Sequence, residues 1–391
     1  MLAAAGVISL GACSARTGGD SGGDSGAPQA AAPSAAANAA DPAGDGKAQC
    51  APTSIAYAGT INGDNAALGQ NILKGAKLAV DQHNKANPGC QVKLEQFDTE
   101  GTPDKAPGIV TQVVNTPAIL GVIGLPFSGE SKAAGNIFNS AGLVSITPSA
   151  TDPSLSTNGW KTFFRGLGND NTQGPAAAKF ITGDLKANKV CVIKDDSQYG
   201  TGLFEATTKA LGDKASCTDQ VKSKQTDFSA VVNKIKNEKP DAVFYAGYYR
   251  EAAPLAQQLN DAQVKAKFVG PDGVKDDQFV KGAGDAAASA YFTCPCVPAD
   301  QFTKFTDAYK AATGVEPGTY SPEAYDIATI LLKGIDAGKK DRAGLLDFVK
   351  TYDNQGITKH FKWDDKGELP VAAVWTYKVD NGKIVRNTEI K

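Results

Sequence analysis

Ile119-Leu120-Gly121-Val122-Ile123 is an unbroken apolar run, and after Gly124 a helical pattern begins near Ser131. A strand apolar on both faces belongs inside a parallel sheet that helices cover from both sides. Val190-Cys191-Val192-Ile193 and Ala242-Val243-Phe244-Tyr245 repeat the pattern. Between such runs lie amphipathic stretches. One runs from about Leu68 to Gln82 through Ile72, Ala76 and Ala79, and another keeps helical spacing through Ala324, Ile327, Ala328, Leu331, Leu332 and Ile335. Strand and helix alternate roughly every 25 to 30 residues, which makes the fold class α/β. Residues 50 to 391 are long enough for two domains of ordinary size.

Open sheets of this class collect ligands at the carboxyl ends of their strands, so the residues after each strand carry the functional reading. Phe127-Ser128-Gly129-Glu130 follows the first run and places Ser128 at a helix N-terminus, where free N–H groups and the helix dipole favour an anion. Thr147-Pro148-Ser149-Ala150-Thr151 follows Val144-Ser145-Ile146 and is a second hydroxyl-rich turn. Either turn would also arise if Ser128 and Thr151 did no more than cap their own backbone. In the second half, Gln198-Tyr199-Gly200, Gly247-Tyr248-Tyr249 and Gly270-Pro271-Asp272-Gly273 follow strands in the same way. One half offers donors for an anion; the other offers rings and a carboxylate for a cation. A zwitterion with an apolar tail fits between them.

These stretches, together with Asn171-Thr172-Gln173-Gly174-Pro175, resemble the leucine/isoleucine/valine-binding proteins of bacterial ABC importers, in collinear order over about residues 53 to 380. The resemblance implies a type I periplasmic-binding-protein fold, with two doubly wound parallel-sheet lobes joined by a three-strand hinge and a ligand cleft between them. Crossovers would fall near Gly168, Pro295 and Val374. Residues 51–168 plus 296–373 would then form the first lobe, and 169–295 plus 374–391 the second. Carried over by position, Ser128, the backbone of Ser149 with Ala150, and Thr151 contact the ligand from the first lobe. Tyr199 and Tyr248 cover it from the second, Asp272 faces its ammonium, and Tyr320 stands near the side-chain pocket. Two positions depart from the family pattern. Asp272 replaces a common glutamate, and Leu68, next to Gly69, stands on the first loop where an aromatic ring is frequent. The implied partners are an amino acid and the permease subunits of an ABC importer, with the receptor working as a monomer.

The N-terminus suggests where such a receptor would sit. Leu2 to Leu10 is apolar but too short to span a bilayer, and it leads into Leu10-Gly11-Ala12-Cys13, which resembles the bacterial lipobox. Residues 1–12 would be a signal peptide and Cys13 the lipidated first residue of the mature protein, although no Lys or Arg precedes the apolar run. Residues 14 to 49 are almost wholly Ala, Gly, Ser, Asp and Pro, the composition of a flexible leash, so 13–49 would tether the globule to the outer side of the cytoplasmic membrane.

Six further cysteines suit an oxidising compartment. Sequence does not choose among their connectivities, but proximity suggests Cys50 with Cys90, Cys191 with Cys217, and Cys294 with Cys296. The first two would each stabilise by ~3 kcal/mol through chain entropy. The third strains disulfide reach, because residues two apart on an extended strand lie near its upper limit.

Other function classes find little support. The 40 Lys and Arg balance 42 Asp and Glu, which gives no basic surface for nucleic acid. With only His83 and His360, and no second closely spaced cysteine pair, a metal site is not expected, nor is a cofactor. Asp195-Asp196 and Asp276-Asp277 are paired carboxylates in sequence, but strand neighbours point to opposite faces. No nucleophile elbow or phosphate loop accompanies them, so an enzyme is disfavoured. The alternatives that remain are a receptor for another small amino acid or amide, and a sensory ectodomain of the same fold.

Overall fold

The structure, a computed structural model, describes residues 40–370 and 372–390. Cys13, the signal peptide expected over residues 1–12 and the expected linker up to residue 39 lie outside the described residues.

The first half forms β1 (Thr53–Gly59), α1 (Ala66–Ala86), β2 (Val92–Asp98), α2 (Ala106–Val114), β3 (Ile119–Gly124), α3 (Ser128–Ser140), β4 (Val144–Thr147) and β5 (Phe163–Arg165). Its sheet has the order β2-β1-β3-β4-β5 and is parallel throughout. Every residue of β3 is buried, as a strand covered on both faces must be. The second half forms α4 (Asp170–Lys179), β6 (Val190–Lys194), α5 (Gln198–Leu211), β7 (Ala215–Gln220), α6 (Ser229–Glu238), β8 (Ala242–Ala246), α7 (Tyr249–Asp261), β9 (Lys267–Gly270), α8 (Asp277–Ala283) and β10 (Tyr291–Cys294). The chain continues through α9 (Thr303–Thr313), α10 (Ser321–Asp336), α11 (Arg342–Lys350), a small hairpin of β11 (Asp353–Gln355) and β12 (His360–Lys362), and then β13 (Val374–Asp380) and β14 (Lys383–Ile390).

The second sheet has the order β14-β13-β10-β9-β8-β6-β7. Its strands β6 to β10 are parallel, as expected, and β13 and β14 extend that sheet at one edge as an antiparallel hairpin. The cause is local: Asn381-Gly382, both at positive φ, make a tight turn that can only fold β14 back on β13.

The chain between β10 and β13 returns to the first sheet. There α10 lies along α1 and α11 packs on β3. The α1–α10 approach is close enough that a β-carbon on Gly75 would sit 2.2 Å from Ser321 O, so only glycine fits. Three chain segments run side by side between the sheets. A β-carbon on Gly168 would meet Ala372 Cβ at 2.7 Å and Pro295 Cβ at 3.1 Å.

All three cysteine pairs are bonded, with Cα separations of 4.6 Å for Cys50–Cys90, 4.5 Å for Cys191–Cys217 and 5.0 Å for Cys294–Cys296. The third escapes the reach problem because the strand ends at Cys294 and the chain bends at once. Residues 40–49, counted with the leash from composition, are instead tied down: Ala40 N donates to Gln355 O, and the Asn87 side chain holds Ala43 O and Ala48 N. Among the described residues no helix is long and apolar enough to cross a membrane.

Candidate functional site

The carboxyl ends of the two sheets face each other and are in contact. Arg250 pairs with Asp64 at 2.7 Å, Lys132 Nζ reaches Gln198 Oε1 at 3.0 Å, and Gln198 Nε2 donates to Asp152. The rings of Phe127 and Tyr248 meet at 4.8 Å, and Tyr249 OH accepts from Ala67 N at 3.3 Å. The polar groups between the sheets are therefore enclosed, with Ser128, Thr151, Asp272, Tyr199 and Tyr320 all buried.

On the first wall, α3 begins at Ser128 itself, three residues earlier than the periodicity places it, because Glu130 reaches back to Phe127 N at 3.3 Å and caps the turn. Ser128 Oγ accepts from Asp152 N at 3.2 Å and so joins the two hydroxyl-rich turns. Ser149 turns its hydroxyl onto Pro126 O at 2.7 Å, and its N–H donates to Thr147 Oγ1 at 3.3 Å. Ala150 N donates to Thr147 Oγ1 at 2.9 Å. Thr151 Oγ1 is buried with no hydrogen-bond partner. Behind this turn lies Arg165, whose importance the sequence did not reveal. It is fully buried, donates to Ala150 O and Asp152 O, and pairs with both oxygens of Glu368 at 2.9–3.1 Å. Pulling two carbonyls backward fixes how the intervening peptide groups present themselves to the cleft.

On the second wall Asp272 is the centre. Its Oδ1 accepts from Tyr199 OH at 2.6 Å and Gln173 Nε2 at 2.7 Å, and its Oδ2 accepts from Tyr320 OH at 2.6 Å. Burial raises the Asp272 carboxyl above the usual range, and these three donors oppose the rise. Burial, and then the Asp272 charge, holds both tyrosine hydroxyls well above their ordinary range, so they remain donors. The Tyr248 ring lies against that of Tyr199, with centroids 5.1 Å apart and planes tilted by 46°. Tyr320 immediately precedes α10, on the first-sheet side, as its N-cap and adopts φ +70°, which is rare for a bulky residue. Its hydroxyl reaches Asp272 from that position.

Two further residues belong to the wall. Gln173 bridges Asp272 and Thr293 O, the latter at 3.0 Å. Asp170, in the first turn of α4, is fully buried with neither oxygen hydrogen-bonded. Burial, followed by the Asp272 charge, drives its carboxyl well above the usual range, against the opposing effects of the nearby Thr151 side chain and the Arg165 charge. Gln173 stands in the Asn171-to-Pro175 stretch that carried part of the resemblance, but nothing local marked either side chain as site-facing.

Leu68 stands in the first turn of α1 rather than on a loop, fully buried in the same core cluster as Tyr320. The sequence-adjacent acids are structural. Asp195 holds Ser197 and Tyr248 N, and Asp276 caps α8 through Gln278 N.

Two facing sheet edges that enclose buried hydroxyls on one side and buried carboxyls beside aromatic rings on the other have the form of a binding site between two lobes. The chain belongs to the periplasmic binding protein family, which matches it over residues 52–383, and its fold is the type I form. A Pseudomonas aeruginosa relative named as a leucine-, isoleucine-, valine-, threonine- and alanine-binding protein is 32% identical over 323 residues, covering 81% of this chain and 86% of the relative. The crystal structure of the branched-chain amino acid transporter substrate-binding protein LivJ from Streptococcus pneumoniae, in complex with isoleucine, superposes with a TM-score of 0.80 at 28% identity, covering 86% of this chain and 100% of that one. The leucine-binding protein LivK from Thermotoga maritima gives a TM-score of 0.78 at 25% identity, with 86% and 98% covered. These are binding proteins rather than enzymes.

Proposed function

We propose that this protein is a lipid-anchored receptor on the outer side of the cytoplasmic membrane that captures leucine, isoleucine or valine and delivers it to the permease of an ABC importer. The observation that carries the reading is the opposed polarity of the walls. Asp272 and Asp170 are two buried carboxyls whose charged forms burial disfavours, and an ammonium placed between them and Thr151 Oγ1 would restore both. Ser128 and the Ser149–Thr151 backbone meet the carboxylate of the same guest, while Leu68, Tyr199, Tyr248 and Tyr320 enclose its apolar tail. Charge-assisted hydrogen bonds contribute ~1.5–3 kcal/mol each and a micromolar ligand needs ~8 kcal/mol, so three or four such contacts with a buried tail suffice.

In this reading residues 51–168 and 296–373 move as one lobe and the rest of the globule as the other, about crossovers near Gly168, Pro295 and Val374. Closure follows because only the closed arrangement offers a ligand both walls. The breadth of the Pseudomonas relative's name favours a second set, threonine and alanine, within the same site.

A thermal-shift screen of the twenty amino acids and short amides on the fragment beginning near Cys50 tests this. Leucine, isoleucine or valine is expected to raise the melting temperature most, by mass action. A larger shift from an acidic or basic amino acid, or none from any, would overturn the ligand assignment. Permease and ATPase genes beside this one would support import, whereas a kinase or cyclase gene would point to sensing.

A further inference from the structure

The bridge between Cys294 and Cys296 closes a ring across one intervening residue, whereas Cys191–Cys217 and Cys50–Cys90 span separations of 26 and 40. Loop-closure entropy grows with the length closed, so this pair restrains the unfolded chain least of the three. Its effect on the folded chain is local. The disulfide and the Pro295 ring together fix the backbone where the chain leaves the second sheet at Cys294. By Val297, whose N–H donates to Glu323 Oε1 of α10 at 2.8 Å, the chain is already held from the first-sheet side.

The surroundings tie this short segment both to the other crossovers and to the site. Pro295 and Ala372 both lie against Gly168, where an added β-carbon would meet their β-carbons at 3.1 and 2.7 Å. Tyr377 OH donates to Cys296 O at 3.1 Å, and Lys275 Nζ lies 4.1 Å from the centre of the Tyr377 ring while also bonding Thr319 Oγ1 at 3.1 Å. Thr293, the residue before the bridge, accepts from Gln173 Nε2, the same nitrogen that reaches Asp272 Oδ1. One hydrogen-bonding side chain therefore separates the bridged segment from the carboxylate that faces the ligand.

We infer that the Cys294–Cys296 bridge is a positioning element for ligand capture: it stiffens the middle crossover so that the lobes favour the closed arrangement and Gln173 stays in register with Asp272. This rests on the lobe assignment proposed above. Without the bridge the crossover gains freedom, the closed population of the ligand-free protein falls, and apparent affinity falls with it. A disulfide kept only for stability would change the melting temperature and leave the closure equilibrium alone.

The test compares the wild type with Cys294→Ala/Cys296→Ala and with Cys50→Ala/Cys90→Ala. Melting temperature, leucine affinity by calorimetry, and radius of gyration by small-angle scattering with and without leucine are measured on each. The expected results for the crossover variant are a smaller melting-temperature loss than for the Cys50/Cys90 variant, about tenfold weaker leucine binding, and a larger ligand-free radius that leucine returns to the wild-type value. An unchanged ligand-free radius or an unchanged leucine affinity overturns the inference. Failure of both Cys294→Ala/Cys296→Ala and Cys294→Ser/Cys296→Ser to fold also overturns it, since the bridge would then be a structural cross-link. If the wild type itself binds no amino acid, the functional reading fails, and the ligand-free radius alone still decides the role of the bridge.

Discussion

The two walls of the cleft solve opposite electrostatic problems with different materials. The first wall is made of backbone and hydroxyls held from behind by the buried Arg165; the second is made of carboxyls held from in front by neutral donors. A wall of peptide groups stays polar without charge, so it needs only to be kept rigid, and one arginine fork does that. A wall of carboxyls is costly to bury alone, and Tyr199, Tyr320 and Gln173 reduce that cost without neutralising the charge a ligand ammonium would meet. The first wall should therefore fail by unfolding and the second by losing affinity.

The largest effect expected follows from Arg165→Met. It leaves Glu368 and the carbonyls of Ala150 and Asp152 without their donor, and breaking such a buried pair typically costs ~3–5 kcal/mol. Chemical denaturation should show a loss of that order, with ligand unable to restore the wild-type midpoint. Near-wild-type stability with lost binding would reverse the assignment and make Arg165 a contact residue.

Next in size is Asp272→Ala, which should weaken leucine binding by about a hundredfold or more while the protein stays folded. Of the three donors it strands, Tyr199 and Tyr320 are hydroxyls that can turn to one another or to water, and Gln173 keeps Thr293 O as an acceptor. Calorimetry that returned wild-type affinity would remove Asp272 from the site.

The pH dependence of binding sharpens the same contrast. Asp272 and Asp170 both have carboxyls raised by burial, so on acidification they take up protons at a higher pH than ordinary carboxyls do. Below those raised values the acids are neutral and no longer attract an ammonium, so affinity should fall before the fold does. Asp170→Asn should weaken binding by about tenfold and flatten the acid limb of the affinity profile. An acid limb identical to that of the wild type would assign the titration to Asp272 alone.

Much of this arrangement was legible in the chain, and the limit of legibility is physical. Buried strands announce themselves as apolar runs, so β3, β6 and β8 were readable, as were the strand-end turns carrying Ser128, Thr151, Tyr199, Tyr248 and Asp272. The buried supports were not readable because their partners lie far away in sequence. Glu368 is 203 residues from Arg165, and Asp272 is 99 from Gln173. An arginine closing the apolar Phe163-Phe164 pair was the one local sign, since a charge at the end of a buried strand must find a partner. Residues 40–49 depart from their composition for the converse reason: composition argues for a leash, and hydrogen bonds shared with Asn87 and accepted by Gln355 O override it.

The smallest effect belongs to a group remote from both walls, which makes it the control for them. His83, at the far end of α1, is within 2.8 Å of Asp336 Oδ1 through Nε2 and 3.0 Å of Asn84 Oδ1 through Nδ1, and the nearby Cys90 sulfur is committed to Cys50. Burial opposes its charging, but the hydrogen bonds to Asp336 and Asn84, with the Asp336 charge, outweigh burial and raise its pKa above 6.5. A raised folded-state pKa means that the folded protein binds the proton more tightly than the unfolded chain does. The stabilisation is therefore complete below about pH 6.5 and is lost as pH rises through the folded value. Asp336 is partly exposed, so solvent screening keeps the contribution to about 1 kcal/mol or less. His83→Gln should remove this slope from unfolding free energies measured between pH 6 and 8 and leave leucine affinity untouched. A change in affinity would mean that the far end of α1 communicates with the cleft, and the division between supporting and gripping residues would have to be redrawn.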